Sequence, residues 1–167
     1  MGKKLFFVES SEDVPMCPSC GGQLRYRDSR PRIIRREGGV KAQLLVRRFR
    51  CEDCHHYHTE LPDCVVPYKH YETEAISGVL EGFVEPTDED SENYPTETTM
   101  ERWKDWYRQN RTNMEGHLQR VFYRLEFDAG EPEIRLLDYL QSVKEKWLEI
   151  ILRIIYNSGG YLIPLRA

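Results

Sequence analysis

The chain has 167 residues and a formal net charge of −4 at pH 7, with 28 acidic side chains against 24 lysines and arginines. This length suits one medium domain or two small ones, and no apolar run is long enough to span a membrane. The apolar patch near the N-terminus is too short for a signal peptide and ends at Glu9, so we expect a soluble cytoplasmic protein.

Two Cys-x-x-Cys pairs dominate the first part of the sequence. Cys17 and Cys20 form the first pair, and Cys51 and Cys54 form the second. Four thiolates at this spacing are the ligand set of a closed, tetrahedral structural zinc site, and Gly21 suits the left-handed backbone that such a turn requires. Disulfides are disfavoured without a secretory context, and a thioredoxin-like redox motif would need a βαβ unit that the sequence lacks. We therefore predict one structural Zn²⁺ per chain, bound by these four cysteines.

The segment between the two pairs has the pattern of a β-hairpin. Residues 24–27 alternate apolar and polar side chains, as in a half-buried strand. Gly38 and Gly39 separate two further strand-like runs, which is typical of a hairpin turn. Together with a short strand predicted over residues 5–8, these elements indicate a zinc ribbon over residues 1–60.

The same segment is strongly basic, in contrast to the chain as a whole. Such charge asymmetry indicates a polyanionic partner, and arginines along a ribbon can neutralise nucleic-acid phosphates. The residues that we predict to contact phosphates are Arg25, Arg27, Arg30, Arg32, Arg35, Arg36, Lys41, Arg47, Arg48 and Arg50.

Three histidines and a fifth cysteine follow the second pair. His55, His56 and His58 each carry a side chain that can ligate zinc. Because four cysteines already complete the ligand set, we interpret the histidines as surface or packing residues. Cys64 is interpreted as a small buried apolar residue.

Helical periodicity dominates the chain after the ribbon. The pattern predicts helices over residues 69–81, from residue 95 onward, over 113–127 and over 133–156, the last being the longest. Thr98 and Glu101 fit a capping box at the start of the second helix. The acidic segment 85–93 is interpreted as a solvated linker, with a shield that repels nucleic acid as the alternative. No strand is predicted after Cys54.

The helix after Pro95 carries different residues on its two faces. Met100 and Trp103 lie on an apolar face, whereas the outer face is polar. A helix of this kind can enter a major groove, and it can equally be an ordinary amphipathic helix, since Glu101 and Asp105 would repel phosphates. The candidate base-reading residues are Thr99, Arg102 and Gln109.

The predicted helix over residues 133–156 carries a near-heptad apolar stripe. Leu137, Ile151 and Ile155 widen this stripe, which favours a core helix over a coiled coil. A homodimer seam along residues 133–156 is the alternative.

Several short motifs occur in order along the chain: CPxCGG at residues 17–22, PYKHY at 67–71 and IYNSGG at 155–160. With these motifs, nearly the whole chain resembles a bacterial domain of unknown function that is found mostly in Firmicutes. The first two-thirds is similar to the zinc-ribbon and helix-turn-helix heads of insertion-sequence transposases. These resemblances imply a DNA-binding protein linked to mobile elements.

The sequence thus predicts an α+β fold, with a zinc ribbon over residues 1–60 and a helical region with a candidate helix-turn-helix over 61–167. We expect a non-catalytic protein that binds nucleic acid, DNA above all, with zinc holding the ribbon. Four thiolates leave no open metal position for a reacting water. The alternative is an adaptor that docks on a larger nucleic-acid machine, with a transposase or recombinase as partner. An enzyme is disfavoured because two-metal catalysis needs clustered carboxylates.

Overall fold

Strands come first in the chain and helices follow, so the predicted α+β class is confirmed by the computed structural model of the protein. The structure describes residues 5–6, 14–36, 39–87, 95–125 and 135–164. The strands of this part are β1 (Leu5–Phe6), β2 (Leu24–Arg35), β3 (Lys41–Cys51) and β4 (Tyr57–Thr59). Its helices are α1 (Thr73–Glu81), α2 (Glu97–Arg124), α3 (Leu136–Val143) and α4 (Trp147–Asn157), and none of them is long and apolar enough to cross a membrane.

The sheet is built around β3. β2 pairs with it antiparallel along one edge, while β1 (parallel) and β4 (antiparallel) pair with it along the other. The predicted hairpin is therefore confirmed. Residues 24–27 are not a separate strand, because β2 runs on for twelve residues and absorbs an irregularity as a bulge between Tyr26 and Asp28. The expectation that no strand follows Cys54 is wrong, since β4 is a strand of three residues, too short to show an alternating pattern.

Three apolar clusters stabilise the described chain, and the smallest of them surrounds the cysteines at one end of the sheet. On one face of the hairpin, Ile34, Leu44 and Val46 pack with Val65, which lies just after the sheet. The larger cluster is helical and is centred on residues such as Trp103, Trp147 and Ile151. Polar contacts also join the two parts. The predicted division between residues 60 and 61 stays a prediction, and the Arg36–Glu72 ion pair of 2.7 Å crosses it.

Helix α1 begins at Thr73 rather than at residue 69, because a tight turn occupies residues 67–70. Tyr68 has a φ of 61°, in the left-handed region that a helix cannot include. The Arg32 guanidinium holds this turn by donating to the carbonyls of Val66 (3.0 Å) and Lys69 (2.7 Å). Helical spacing alone could not reveal a turn whose partner is a distant arginine.

Helix α2 replaces two predicted helices with one of 28 residues. Met100, Trp106 and Met114 are buried along a single stripe, so no break is needed near residue 113. The predicted capping box of Thr98 and Glu101 is wrong. The N-cap is Thr96, whose side chain accepts a hydrogen bond from the Thr99 backbone N–H at 3.4 Å.

The predicted longest helix, 133–156, is instead the pair α3 and α4, so α2 is the longest helix of the described chain. The two helices are separated at Lys144, which has extended backbone angles of −123° and 122°. Residues 144–146 are exposed and bury no apolar side chain that would favour a continuous helix. Leu137 and Ile151 are fully buried in the chain's own core. A heptad seam between two copies of this segment would be interrupted at residues 144–146. The homodimer along residues 133–156 stays a prediction.

Asn110 fastens the C-terminal segment to α2. Its side chain is buried, donates to the carbonyls of Trp106 and Ile163 at 2.9 Å each, and accepts from the Ile163 N–H at 2.8 Å. We expect Asn110→Ala to lower the free energy of unfolding by about 1–3 kcal/mol, because it removes both hydrogen bonds between α2 and Ile163 and leaves a gap at a buried position. Chemical denaturation measures this change. A loss no larger than that of an exposed control, Gln109→Ala, would contradict the role.

Candidate metal centre and basic surface

Two similar turns place the predicted zinc ligands. In the first, the Cys17 N–H donates to the Gly22 carbonyl at 2.7 Å, and Gly21 takes a left-handed φ of 76° as expected. In the second, His55 holds the equivalent position after Cys54 with a φ of 61°. Gly22 has a role that the sequence did not reveal. A Cβ there would lie 2.3 Å from the Asp53 Oδ2 and 3.0 Å from the Cys51 Sγ, so a larger residue would have to displace side chains of the second turn.

The four sulfurs form one cluster. The ligand atoms of Cys17, Cys20, Cys51 and Cys54 all lie within 4.8 Å of one another, and all four are free thiols. The Cys17–Cys54 and Cys20–Cys51 Sγ distances are 3.7 and 3.5 Å. A tetrahedral metal with bonds of about 2.3 Å needs sulfurs about 3.8 Å apart. The cluster therefore has the size and the donor set to hold a metal ion.

The electrostatics of the cluster favour a bound cation. Burial disfavours the Cys17 thiolate, but backbone N–H groups of Cys20 and Ser19 stabilise it and bring its pKa down to about 6. The backbone of His56 favours the Cys54 thiolate, yet burial and the neighbouring cysteines raise its pKa to about 12. Four thiolates this close repel one another, and a metal cation removes that penalty as it displaces the protons.

The histidines that follow the second pair differ in their surroundings, and His58 is a packing residue rather than a surface residue. His55 and His56 are exposed, in agreement with a surface interpretation. The His58 Nε2, however, lies 3.2 Å from the Cys17 Sγ, within hydrogen-bond distance of a ligand sulfur. The β3–β4 pairing places it there, opposite Phe49. Cys64 lies away from the four sulfurs against the sheet cluster, and burial raises its pKa.

Five of the ten predicted phosphate-binding residues have a carboxylate or backbone partner at hydrogen-bond distance within the protein. Arg32 bonds two carbonyls, as described above. The others with such partners are Arg25 (to Glu52), Arg36 (to Glu72), Arg47 (to Glu60) and Arg48 (to Asp28). Arg35 lies over the Tyr71 ring and donates to its hydroxyl at 3.3 Å. These contacts occupy guanidinium groups that the sequence alone could not distinguish from free ones.

A smaller set of cations remains available near the cysteines. Arg27 lies 4.5 Å from the centre of the Tyr57 ring, and Arg50 lies 5.9 Å from it. We call these three residues the Tyr57 patch. The Tyr57 side chain is 57% exposed. The nearest carboxylate to Arg27 is that of Asp28, at 3.9 Å, and Asp28 already pairs with Arg48. Within the described residues, Arg50 makes no ion pair, and the same holds for Arg30 and Lys41.

The candidate base-reading residues lie on the first turns of α2. Arg102 and Gln109 are exposed, whereas Thr99 is half-buried and its hydroxyl lies 3.0 Å from that of Thr96 in the helix cap. Within the described chain, no contact joins these three residues to the cysteine cluster. Much of the acidic segment 85–93 lies outside the described residues, so both interpretations of it stay predictions.

Together, the fold and the site define an α+β protein with a four-cysteine candidate metal centre in its strand region. A family model described as "Domain of unknown function (DUF6431)" matches residues 17–103, more than half of the chain, and includes all four cysteines. The chain belongs to this family, as the resemblance to an uncharacterised domain had led us to expect. No curated protein and no solved structure matches it.

Proposed function

We propose that this is a cytoplasmic, non-catalytic DNA-binding protein whose four cysteines hold one structural Zn²⁺. The sulfur donor set and the closed tetrahedral spacing favour zinc over harder cations. A link to mobile elements and transposition is part of the proposal. It is supported by the resemblance of the first two-thirds of the chain to the heads of insertion-sequence transposases.

The Tyr57 patch is the observation that carries the DNA-binding proposal. Its two guanidinium groups flank an exposed aromatic ring, an arrangement that suits a nucleic-acid backbone next to an accessible base. Most of the other ribbon arginines already have protein partners at hydrogen-bond distance. Arg50 makes no ion pair within the described residues, and Arg27 has only the distant Asp28 carboxylate at 3.9 Å, which Arg48 already binds. Electrostatic attraction to phosphates supplies most of the non-specific affinity of such proteins.

The zinc-loaded Arg27→Ala/Arg50→Ala variant tests this proposal. Each lost phosphate contact lowers the magnitude of the salt slope of log K by about 0.9, so we expect a decrease of about 1.8 on random duplex DNA. Fluorescence anisotropy at several salt concentrations measures the slope. Tyr57→Ala is expected to weaken single-strand binding by about 1–3 kcal/mol if a base stacks on the ring.

Lys144→Ala/Lys146→Ala is the matched control, since it removes the same charge from exposed residues of the α3–α4 junction. We expect its slope to equal that of the wild type. If the zinc-loaded wild type binds neither duplex, single strand nor RNA at low ionic strength, the proposal is wrong, because screening is weakest there.

A second candidate function is the adaptor that docks on a transposase or recombinase. It is favoured by apolar side chains on the sheet face opposite to the Ile34 cluster, where Ile33 is 55% and Leu45 47% exposed. Under this hypothesis Leu45→Lys removes the partner that co-purifies from a nuclease-treated lysate, and DNA binding is unchanged. A partner retained by Leu45→Lys would contradict the docking surface.

A further inference from the structure

A small groove lies between the C-terminal half of α2 and the turn that follows α4. It encloses about 160 Å³. His117, Arg120 and Arg124 line it from the helix, and Gly159 and Gly160 line it from the turn. The volume is below the roughly 300–1,000 Å³ of sites for drug-sized ligands, so the groove suits a small group such as a phosphate.

The helix wall of the groove is cationic. Positions 117, 120 and 124 fall on one face because they are three and four residues apart. Arg120 and Arg124 are exposed and make no ion pair with any carboxylate of the described chain, in contrast to Arg108 and Arg111 on the same helix, which pair with Asp105 and Asp138. Burial and the charge of Arg120 lower the pKa of His117.

Compensation of the helix dipole does not account for this set of side chains. A cation at the C-terminal end of a helix is favourable, and Arg124 is the last residue of α2. The effect is limited to the last turn, however, and both Arg120 and His117 lie before it. Their convergence on a cavity indicates a ligand of negative charge.

The opposite wall is backbone that comes unusually close to the helix. A Cβ on Gly160 would lie 2.6 Å from the Cε1 and 2.7 Å from the Nδ1 of His117. Gly159 has a φ of 80°, and a Cβ there would lie 2.6 Å from the carbonyl oxygen of Pro18, in the first cysteine turn. The glycines thus let the turn fit between α2 and the metal centre, and they join the groove to the ribbon.

We propose that this groove binds a phosphate of the nucleic-acid backbone, so that the DNA contacted by the ribbon also contacts α2. This inference rests on the proposed function and extends the DNA-binding surface into the helical part. It assigns a role to the Ser158-Gly159-Gly160 motif, which the metal centre does not use.

The test is the zinc-loaded full chain carrying Arg120→Ala/Arg124→Ala. Both residues are exposed and helical, so alanine keeps the fold. We expect the magnitude of the salt slope on random duplex DNA to fall by about 1.8, for two lost contacts. Lys104→Ala/Arg108→Ala is the matched control, with the same spacing and charge loss on exposed positions of the same helix. Its slope is expected to equal that of the wild type.

Four other outcomes would each overturn the inference. If the groove variant binds DNA with the wild-type salt slope, the groove does not contact DNA, and the proposed function is unaffected. An equal decrease in both double variants shows an effect of net charge rather than a site. A wild-type protein that binds no nucleic acid removes the proposed function together with the groove. The last outcome combines two results: inorganic phosphate shifts the Gly160 amide resonance of the wild type, and the groove variant keeps the wild-type salt slope on DNA. The groove would then bind free phosphate, which also contradicts the inference.

Discussion

Cys51→Ser is expected to abolish metal binding and to unfold the ribbon. Cys51 is buried, and its Sγ lies 3.5 Å from that of Cys20. Among the described residues, the apolar cluster at this end of the sheet contains only Leu24 and Phe49 as buried residues besides the cysteines, so burial supplies little stability there. Structural zinc contributes on the order of 10–16 kcal/mol of apparent binding energy, which a cluster of this size cannot replace. Elemental analysis should find one zinc per wild-type chain and none in the variant.

Cys64→Ser is the control for this prediction, because Cys64 lies outside the four-sulfur cluster. It should keep its zinc and the amide spectrum of the ribbon. Zinc retained by Cys51→Ser but lost from Cys64→Ser would contradict the ligand assignment. A chelator extends the test to the predicted boundary near residue 61. If the helical dichroism also collapses when zinc is removed, the ribbon and the helices unfold as one unit.

Trp147→Ala is expected to lower the free energy of unfolding by about 3–5 kcal/mol, the range for removing a large aromatic side chain from a core. Trp147 is fully buried at the start of α4 and packs edge-on against Tyr107, with ring centres 5.7 Å apart. Its indole N–H also donates to the Glu81 carboxylate at 3.0 Å, so this side chain of α4 contacts both α1 and α2. Denaturation by urea, followed through the helical dichroism, measures the loss.

Two variants control this measurement. Trp147→Phe keeps most of the ring contact and loses the hydrogen bond to Glu81, so its loss of stability should be clearly smaller. Tyr123→Ala, at a side chain that is 86% exposed, should change stability by no more than about 0.5 kcal/mol. If Trp147→Ala is as stable as Tyr123→Ala, the helical cluster is not centred on the indole.

The local spacing of residues in the sequence determines the candidate metal ligands, the hairpin and the position of the helical part. The CxxC pairs identified the four sulfurs that come together, because a ligand turn is encoded within a few neighbouring residues. Gly38 and Gly39 marked the hairpin, and the apolar periodicity located the helical part. Helix boundaries are not encoded locally to the same extent, since the break at residues 144–146 and the continuity of α2 depend on which side chains the rest of the chain buries.

Only the tertiary structure decided which charged and polar side chains already have partners within the protein and which are available to bind a ligand. Ten basic residues of the ribbon are equivalent in the sequence, yet Asp28 and Glu60 pair with two of them, and Arg32 is used to hold the turn at residues 67–70. His58 reaches Cys17 because strand register places it there. The groove on α2 exists because the Gly159-Gly160 turn returns to the first cysteine turn over a long sequence separation. Such contacts join residues far apart in the chain, and no local pattern of side chains encodes them.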